Sequence, residues 1–296
     1  MATLKDVKAK INGVQKTKQI TQAMHMVAVS KLRGAQTRME GFRPYANKYA
    51  QIIEDVVCSG NIEGVGAILL PSKNSEMMVH ILLCTSDRGL CGGFNLNLIN
   101  IAAEAVKRKK QEGKRVSFTC VGKKGMAWCL KEGHEIVNSY ENVLEGRFTF
   151  KEASQIGGEV IQGFFAGKYQ EVHLIFSEFV RATYQIPQAK QLLPIQTEIY
   201  EQKKKKEDIT RGYLMEPSAQ KLLAKLLLDG LYTEIYRAFL ENATSENAAR
   251  MTAMNNATLA TNDILDSLKI AYNKARQAAI TSELIDIVGG AEALAG

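Results

Sequence analysis

Residues 4–56 read LKDVKAKINGVQKTKQITQAMHMVAVSKLRGAQTRMEGFRPYANKYAQIIEDV, and this stretch decides the fold of the chain. Alternating steps of three and four residues select one mostly apolar stripe along it. The stripe consists of Leu4, Val7, Ile11, Val14, Lys18, Thr21, His25, Ala28, Leu32, Ala35, Met39, Phe42, Ala46, Tyr49, Ile53 and Val56. A sustained alternation is typical of a helix that keeps one narrow face against a partner helix. It predicts a helix from Thr3 to Val57, about 80 Å long.

A second stripe lies near the other end of the chain. The same stepping gives Ala257, Thr261, Ile264, Leu268, Ala271, Ala275, Ala278, Ser282 and Ile285. We expect its helix to begin near Glu216 or Pro217 and to end at Gly289 and Gly290, with Gly230 inside it. Two such helices can pair antiparallel only if the middle of the chain folds as a compact insertion.

The middle of the chain alternates strand and helix patterns. Strands are expected at 78–85, 116–121, 135–137, 172–179 and 188–193, and helices at 95–111, 124–131 and 149–165. This alternation indicates a mainly parallel sheet covered by helices, with the last strand returning antiparallel as an edge hairpin. The predicted fold class is α/β plus a long coiled coil. Its parts are an N-terminal coiled-coil helix (1–58), a Rossmann-like mixed α/β domain (77–197) and a C-terminal coiled-coil helix (213–296).

Bulk properties narrow the class of protein. The chain has 296 residues, is 46% hydrophobic and carries a net charge of +7, which favours acidic surroundings without choosing among them. No run of about 18 apolar residues occurs, so a membrane span is not expected. The five cysteines include no CxxC pair, and the N-terminus lacks the apolar region of a signal peptide.

The segment SDRGLCGGF, residues 86–94, is the strongest candidate for an enzyme site. It follows a strand and precedes a helix, where phosphate groups often bind. However, it does not match GxGxxG, and no GxxxxGK[ST] motif occurs. A purely structural turn is the favoured interpretation, and a ligand site is the alternative. If the turn is structural, Asp87 and Arg88 could pair with each other or with a neighbouring subunit instead of binding a ligand.

Other catalytic chemistry has little support. Cys91 would need a histidine partner, but His25, His80, His134 and His173 fall on four different predicted elements. No HxxxH, HExxH or GxSxG spacing occurs, so neither a metal centre nor a hydrolase is expected.

A basic run, Lys203 to Lys206, lies in the predicted linker from Glu198 to Gly212, between the α/β domain and the C-terminal helix. It fits a nucleic-acid or lipid-headgroup contact, and equally a solvated linker beside Glu201, Glu207 and Asp208. The single tryptophan, Trp128, leaves little surface for base stacking, so nucleic-acid binding is disfavoured.

Polar residues interrupt both stripes. Lys18, Thr21 and His25 fall on the first stripe, and extending the second stripe backward meets Arg250 and Asn247. Such positions either specify the register of the helix pair or face polar groups of another protein. Beside the first stripe, Ile20, Met24 and Val27 form a second apolar line.

The second stripe is rich in small residues, which predicts a thin helix pair that fits inside a narrow host. Its last turn becomes apolar at Leu284, Ile285, Ile287 and Val288, and an exposed apolar tip indicates a partner surface.

Four segments, in order along the whole chain, resemble the gamma subunit of rotary (F-type) ATP synthase, bacterial type. They are KAKINGVQKTKQITQAMHMVAVSKLRGAQ, SDRGLCGGFNLNL, ENATSENAARMTAMNNAT and YNKARQAAITSELIDIVGGAEAL. The resemblance implies an antiparallel coiled coil with a Rossmann-like domain that has no nucleotide site, no cofactor and no catalytic residues. The implied function is the central rotor, which couples rotation of the membrane c ring to conformational change at catalytic beta subunits.

The resemblance also implies partners and contact residues. The partners are three alpha and three beta subunits, epsilon and the c ring, at the cytoplasmic face of a bacterial inner membrane, with no nucleic acid. Contacts with beta or alpha are expected at Ile20, Met24, Val27, Arg250, Arg276, Gln277, Leu284, Ile287 and Val288. Contacts with the c ring or epsilon are expected at Tyr200, Lys203, Lys204, Lys205 and Lys206. The rival functions are an α/β enzyme with helical arms and a basic coiled-coil adaptor for nucleic acid.

Overall fold

A computed structural model describes residues 4–59, 77–146, 148–195 and 219–295. Internal contacts divide the chain into two compact units. One combines Met1–Val29 with Met251–Gly296, and the other is Ser30–Arg250. Both long helices contribute to both units: α1 spans Leu4–Ser59 and α5 spans Ala219–Ala295. Within the described ranges, no helix combines the length and apolar character that crossing a membrane requires.

In the first unit, α1 pairs with α5. Thr258 Oγ1 donates a hydrogen bond to Thr21 Oγ1 at 2.9 Å, so the two stripes face each other there. Antiparallel stepping from this contact brings Leu4 opposite about Ala275. Every predicted stripe position of α1 in this unit is buried or half-buried, including Lys18 and His25. The predicted stripe of α1 is therefore confirmed.

The register predicted for α5 was wrong at Ile264, Ala271 and Ala278, and the last two positions of the predicted stripe, Ser282 and Ile285, are also exposed. Thr261, Leu268 and Ala275 lie on the buried side as expected, but the steps between them run four then three. Leu265 is 8% exposed, whereas the predicted Ile264 is 48% exposed. Because Ile264 and Leu265 are both apolar, the pattern alone favoured neither phase of the alternation.

Two further predictions for α5 were also wrong. The observed stripe consists of Met254, Thr258, Thr261, Leu265, Leu268, Tyr272, Ala275 and Ala279, so it is less rich in small residues than expected. The helix also does not end at Gly289 and Gly290 but runs to Ala295. Glycine lowers helix stability by only about 1 kcal/mol per residue, and the alanine-rich segment after it favours the helix.

The second unit contains a five-stranded sheet in the order β3-β2-β1-β4-β5. The strands are β1 (Met78–Cys84), β2 (Arg115–Val121), β3 (Glu135–Tyr140), β4 (Glu171–Arg181) and β5 (Tyr184–Leu193). Between them lie α2 (Phe94–Gln111), α3 (Lys123–Lys131) and α4 (Phe150–Phe165). Strands β1 to β4 pair in parallel, and β5 pairs antiparallel with β4, as the alternation predicted.

Two faces of β1 pack in different surroundings, because successive side chains of a strand point to opposite faces. Val79, Ile81 and Leu83 join the core under α2 and α3. On the other face, His80 stacks on Tyr169 with ring centroids 4.3 Å apart and bonds the hydroxyls of Ser117 and Thr119. Burial lowers the pKa of His80 to about 4, so this side chain stays neutral in the folded chain.

The helix α4 packs closely against α5. A Cβ at Gly157 would lie 2.7 Å from Ile235 Cδ1, whereas one at Gly158 would meet nothing nearer than 3.8 Å. Glycine at 157 thus permits an approach that a larger residue would prevent.

A small ionic cluster holds the start of β4. Glu171 accepts hydrogen bonds from Lys114 and His173 and forms an ion pair with Lys109 at 2.8 Å. Burial opposes the charge of Glu171, but these hydrogen bonds outweigh it and lower the pKa of the carboxyl to about 2.

Candidate functional site

The strand β4 is longer than its parallel neighbour, and this leaves backbone groups without a strand partner. Pairing between β1 and β4 ends at Leu83 and Ile175. Beyond that point Ser177 and Phe179 continue to direct their backbone groups toward the side that β1 occupied. A buried backbone group needs a hydrogen-bond partner, so another element must supply one here.

Polar side chains of α5 supply these partners. Asn242 Oδ1 accepts from the Ser177 backbone N–H at 3.1 Å, and Ser245 Oγ donates to the Ser177 carbonyl at 3.1 Å. Glu241 Oε2 accepts from the Phe179 backbone N–H at 2.9 Å. The middle of α5 is therefore polar because it completes the edge of β4, although all of these side chains are buried.

Arg43 of α1 completes this arrangement. Its guanidinium donates to both carboxylate oxygens of Glu241, at 2.9 and 3.0 Å, and to the Phe179 carbonyl at 2.8 Å. The Glu241 side chain is only 3% exposed, and the hydrogen bond to it raises the pKa of Arg43. We call Arg43, Glu241 and the backbone of Phe179 the clamp. The clamp joins α1, α5 and β4.

The antiparallel pairing of the helices in this unit follows from two contacts. Arg43 meets Glu241, and six residues later in α1, Tyr49 donates to the Leu226 carbonyl at 3.1 Å. The partner number falls as the α1 number rises, as two antiparallel helices require. A Cβ at Gly230 would lie 2.7 Å from Ile53, so a glycine suits this crossing.

The glycine-rich turn at 86–94 is filled by its own side chains. Ser86 Oγ donates to the Arg88 carbonyl at 2.6 Å, and Asn95 Nδ2 bonds Ser86 Oγ at 2.7 Å and Cys91 Sγ at 3.1 Å. Leu90 and Gly92 adopt positive φ values of 62° and 58°. The polar side chains at the turn thus bond one another and the Arg88 carbonyl, which supports the structural interpretation.

Of the two pairings that the sequence left open for Asp87 and Arg88, the pairing with each other does not occur, and the pairing with a neighbouring subunit stays a prediction. Asp87 Oδ1 accepts from the Lys123 backbone N–H at 3.1 Å, and Arg88 forms an ion pair with Glu145 at 2.8 Å. Each side chain instead ties the turn to a neighbouring segment of the same unit.

Arg250 holds the turn from the α5 side. Its guanidinium donates to the carbonyls of Arg88 and Gly89 at 3.2 and 3.4 Å, and it pairs with Glu246 at 2.7 Å. Burial raises the pKa of Glu246, and the charge of Arg250 opposes that shift. The predicted contact residue Arg250 is therefore engaged within its own unit.

The remaining predicted contact residues lie in the first unit and are mostly exposed. Ile20 and Val27 are 59% and 57% exposed, and Met24 between them is half-buried. Arg276 and Gln277 are exposed on α5. Leu284, Ile287 and Val288 are also exposed, Ile287 at 67%. The structure thus leaves two groups of large apolar side chains uncovered, one on each helix.

Five predicted residues, Tyr200 and Lys203 to Lys206, lie outside the described residues. Among the residues that are described, no group of three or more histidine, cysteine or acidic side chains is placed to hold a metal ion. Cys91 contacts Ser86 and Asn95, not a histidine.

Sequence reasoning missed the clamp and its neighbours Asn242 and Ser245. A signal was available, because ENATSEN at 241–247 places polar residues on every side of a helix. A helix that is polar all round needs a polar partner or solvent, and here the partner is the end of β4.

Long antiparallel helices, tied to a sheet by buried hydrogen bonds, define a stalk-like structural protein. A sequence profile described as ATP synthase matches residues 3–294. The ATP synthase gamma chains of Desulfosudis oleivorans and Maridesulfovibrio salexigens are 49% and 46% identical to this chain, each aligned over 100% of both chains.

Solved structures agree in fold. A chain of the Euglena gracilis mitochondrial ATP synthase OSCP/F1/c-ring assembly has a TM-score of 0.68 at 20% identity, covering 98% of this chain and 94% of its own. A chain of the Tetrahymena thermophila central stalk and c-ring has a TM-score of 0.59 at 27% identity, covering 80% and 99%. The chain belongs to the ATP synthase gamma family. It is a non-catalytic subunit of the central stalk.

Proposed function

We propose that this subunit acts as the central rotor of a proton-translocating ATP synthase. It couples rotation of the membrane c ring to conformational change at the catalytic beta subunits, and the complex makes ATP from ADP and phosphate. The supporting observation is the uncovered end of α5. Burial against α1 ends near Ala279, and the following residues to Ala291 are all exposed, including large apolar side chains. Apolar area of this kind marks a surface that a partner covers.

The first set of contacts concerns the beta and alpha subunits. Ile20, Met24 and Val27 offer an apolar ridge on α1 that a lever-like segment of beta can press against. Arg276 and Gln277 offer directional hydrogen bonds to a beta loop. Arg250, although held by Glu246, presents a further polar position to the same partners.

The second set of contacts concerns the far end of α5. Leu284, Ile287 and Val288 form an apolar surface that lacks directional hydrogen-bonding groups. Contacts without directional preference oppose turning less than hydrogen bonds do, because no fixed angle is favoured. This surface acts as a bearing in the alpha and beta ring.

The third set of contacts rests on sequence alone. Tyr200 and Lys203 to Lys206 approach the c ring and epsilon. The subunit is peripheral to the membrane, and we place it at the cytoplasmic face of a bacterial inner membrane.

The mechanism is a population shift driven by orientation. A shaft that differs from face to face stabilises a different conformation in each of the surrounding beta subunits. Rotation moves these preferences from one subunit to the next. Each proton that crosses the membrane supplies about 2.3 kcal/mol per 100 mV, so the shaft must transmit several such amounts without unwinding.

The directional contacts are tested in the assembled complex by Arg276→Ala/Gln277→Ala. The matched control is Asn273→Ala, an exposed position one turn earlier on the same helix. ATP synthesis and hydrolysis should fall in the double variant and not in the control. Unchanged rates in the double variant would remove these residues from the coupling mechanism.

The bearing is tested by Ile287→Asp/Val288→Asp. Charged side chains carry ordered water and resist burial, so the double variant should impair assembly or turning. Thr281→Asp adds one charge to an exposed position before the apolar surface and serves as the control. Normal assembly and turnover of the double variant would count against a bearing at this place.

A further inference from the structure

We infer that the clamp is the positioning element that fixes the sheet to the helix pair when the rotor works under load. The inference rests on the proposed rotor function and names the contact in the unit Ser30–Arg250 that resists shear. Arg43 and Glu241 act by holding backbone segments in place and touch no reacting group.

The first support is that one buried carboxylate joins three elements. Glu241 of α5 receives both the guanidinium of α1 and the Phe179 N–H of β4, and Arg43 also reaches the Phe179 carbonyl. The two side chains therefore close a ring with one residue of the strand. A relative shift of any of the three elements must lengthen at least one of these hydrogen bonds.

The second support is that the clamp fixes the orientation of three elements at once, whereas the hydrogen bonds of Asn242 and Ser245 join only α5 to β4. The pair of α4 and α5 at Gly157 and the pair of helices at Gly230 are apolar contacts. Apolar contacts resist separation, but hydrogen bonds weaken steeply as their angles change. A planar guanidinium bound to both carboxylate oxygens restricts orientation as well as distance.

The third support is the seclusion of the carboxylate from water. The Glu241 side chain is 3% exposed, although that of Arg43 is 38% exposed, so water does not easily replace the arginine at the carboxylate. A surface pair between the same sheet and the same helix offers the comparison. Lys190 of β5 binds Glu234 of α5 at 2.8 Å, and these side chains are 49% and 20% exposed. Water can replace that contact.

The experiment uses the complete membrane-bound complex reconstituted in proteoliposomes. Three variants are compared: Glu241→Gln, which removes the charge pair, Arg43→Met/Glu241→Met, which replaces it by apolar side chains, and the surface control Lys190→Ala. The double variant leaves no unpaired buried charge on either side chain, but it also removes the partners of the Phe179 backbone, so its folding is checked through the amount of assembled complex. ATP hydrolysis and ATP-driven proton uptake are measured on the same sample, together with the amount of assembled complex.

The expected result is a lower ratio of proton uptake to hydrolysis in both clamp variants, falling further as an opposing membrane potential increases. Hydrolysis without a gradient should stay near the native rate, because turning against no load transmits little torque. Lys190→Ala should keep the native ratio at every potential.

A native ratio in either clamp variant, under the highest opposing potential, would overturn the inference. A loss that follows only the amount of assembled complex would also overturn it, since that result indicates a folding role alone. The proposed function fails separately: it would be contradicted if the native complex itself showed no hydrolysis-driven uptake.

Discussion

The pairing of α1 with α5 predicts losses of stability of very different size for two adjacent apolar residues. Leu265 is 8% exposed and Ile264 is 48% exposed, and both are replaced by alanine in separate variants. Leu265→Ala removes three carbons from the interface. At about 0.8 kcal/mol per CH₂ the transfer term is about 2.4 kcal/mol, near the lower end of the range for buried leucines. A pair of helices can close part of the cavity, so we expect about 2–3 kcal/mol.

Ile264→Ala removes side-chain area that is already half in water. The lost burial is offset in part because alanine favours a helix by a few tenths of a kcal/mol over isoleucine. The expected loss of stability is below about 1 kcal/mol.

Native-state hydrogen exchange of the isolated chain measures both effects locally, through backbone amides of α5 around Tyr272. Protection in Leu265→Ala should fall about 30-fold or more, since each 1.4 kcal/mol is a factor of ten, and Ile264→Ala should change it much less. An equal loss in the two variants, or a larger one in Ile264→Ala, would refute the observed register and favour the one predicted from the sequence.

Three further predictions concern the unit Ser30–Arg250. The folded chain keeps His80 neutral with a pKa of about 4, so its contribution to stability, roughly 3 kcal/mol, should be lost as pH falls from about 6.5 to about 4. In denaturant titrations His80→Gln should remove this part of the slope and leave the part that comes from His134 and His173, whose pKa values burial also lowers. Gly157→Ala should leave the chain about 1–3 kcal/mol less stable than Gly158→Ala, because only the first presses on Ile235, and equal melting temperatures would contradict the close packing. The folded-state pKa of Glu171 is depressed to about 2, so the stability that its carboxylate contributes is present above about pH 4.5 and is lost as pH falls toward 2. Glu171→Gln should therefore be less stable than the native chain at pH 7 and equally stable near pH 2. A difference in stability that stays constant with pH would contradict this.

Much of the fold was predictable because its signals are local. The continuous apolar run of β1 predicted a strand buried on both faces, and every residue of Met78–Cys84 is buried. Alternation of strands and helices predicted the parallel sheet, and the short turn before β5 predicted its antiparallel return. The stripe of α1 was predictable because it repeats over many turns, which averages out single exceptions.

The rest depends on contacts between distant parts of the chain. Arg43 and Glu241 are 198 residues apart, and no local pattern connects them. The clamp is needed because β4 extends beyond the end of β1. This difference in length is a property of the assembled sheet. The predicted register of α5 was wrong for a local reason, since the neighbouring apolar residues Ile264 and Leu265 satisfied the alternation equally well. The helix past Gly289 was missed because a glycine pair was taken as a stop, although flanking helix formers outweigh it.

We expect this subunit to turn inside the complex while the catalytic ring stays fixed. Lys131 is exposed at the end of α3, which packs on the sheet. A cysteine that replaces it can carry a fluorescent or gold probe. With the alpha and beta ring attached to a glass surface and ATP supplied, the account predicts that the probe rotates stepwise in one direction and stops when ATP is removed. A probe that stays at a fixed angle while the same molecules hydrolyse ATP would contradict it.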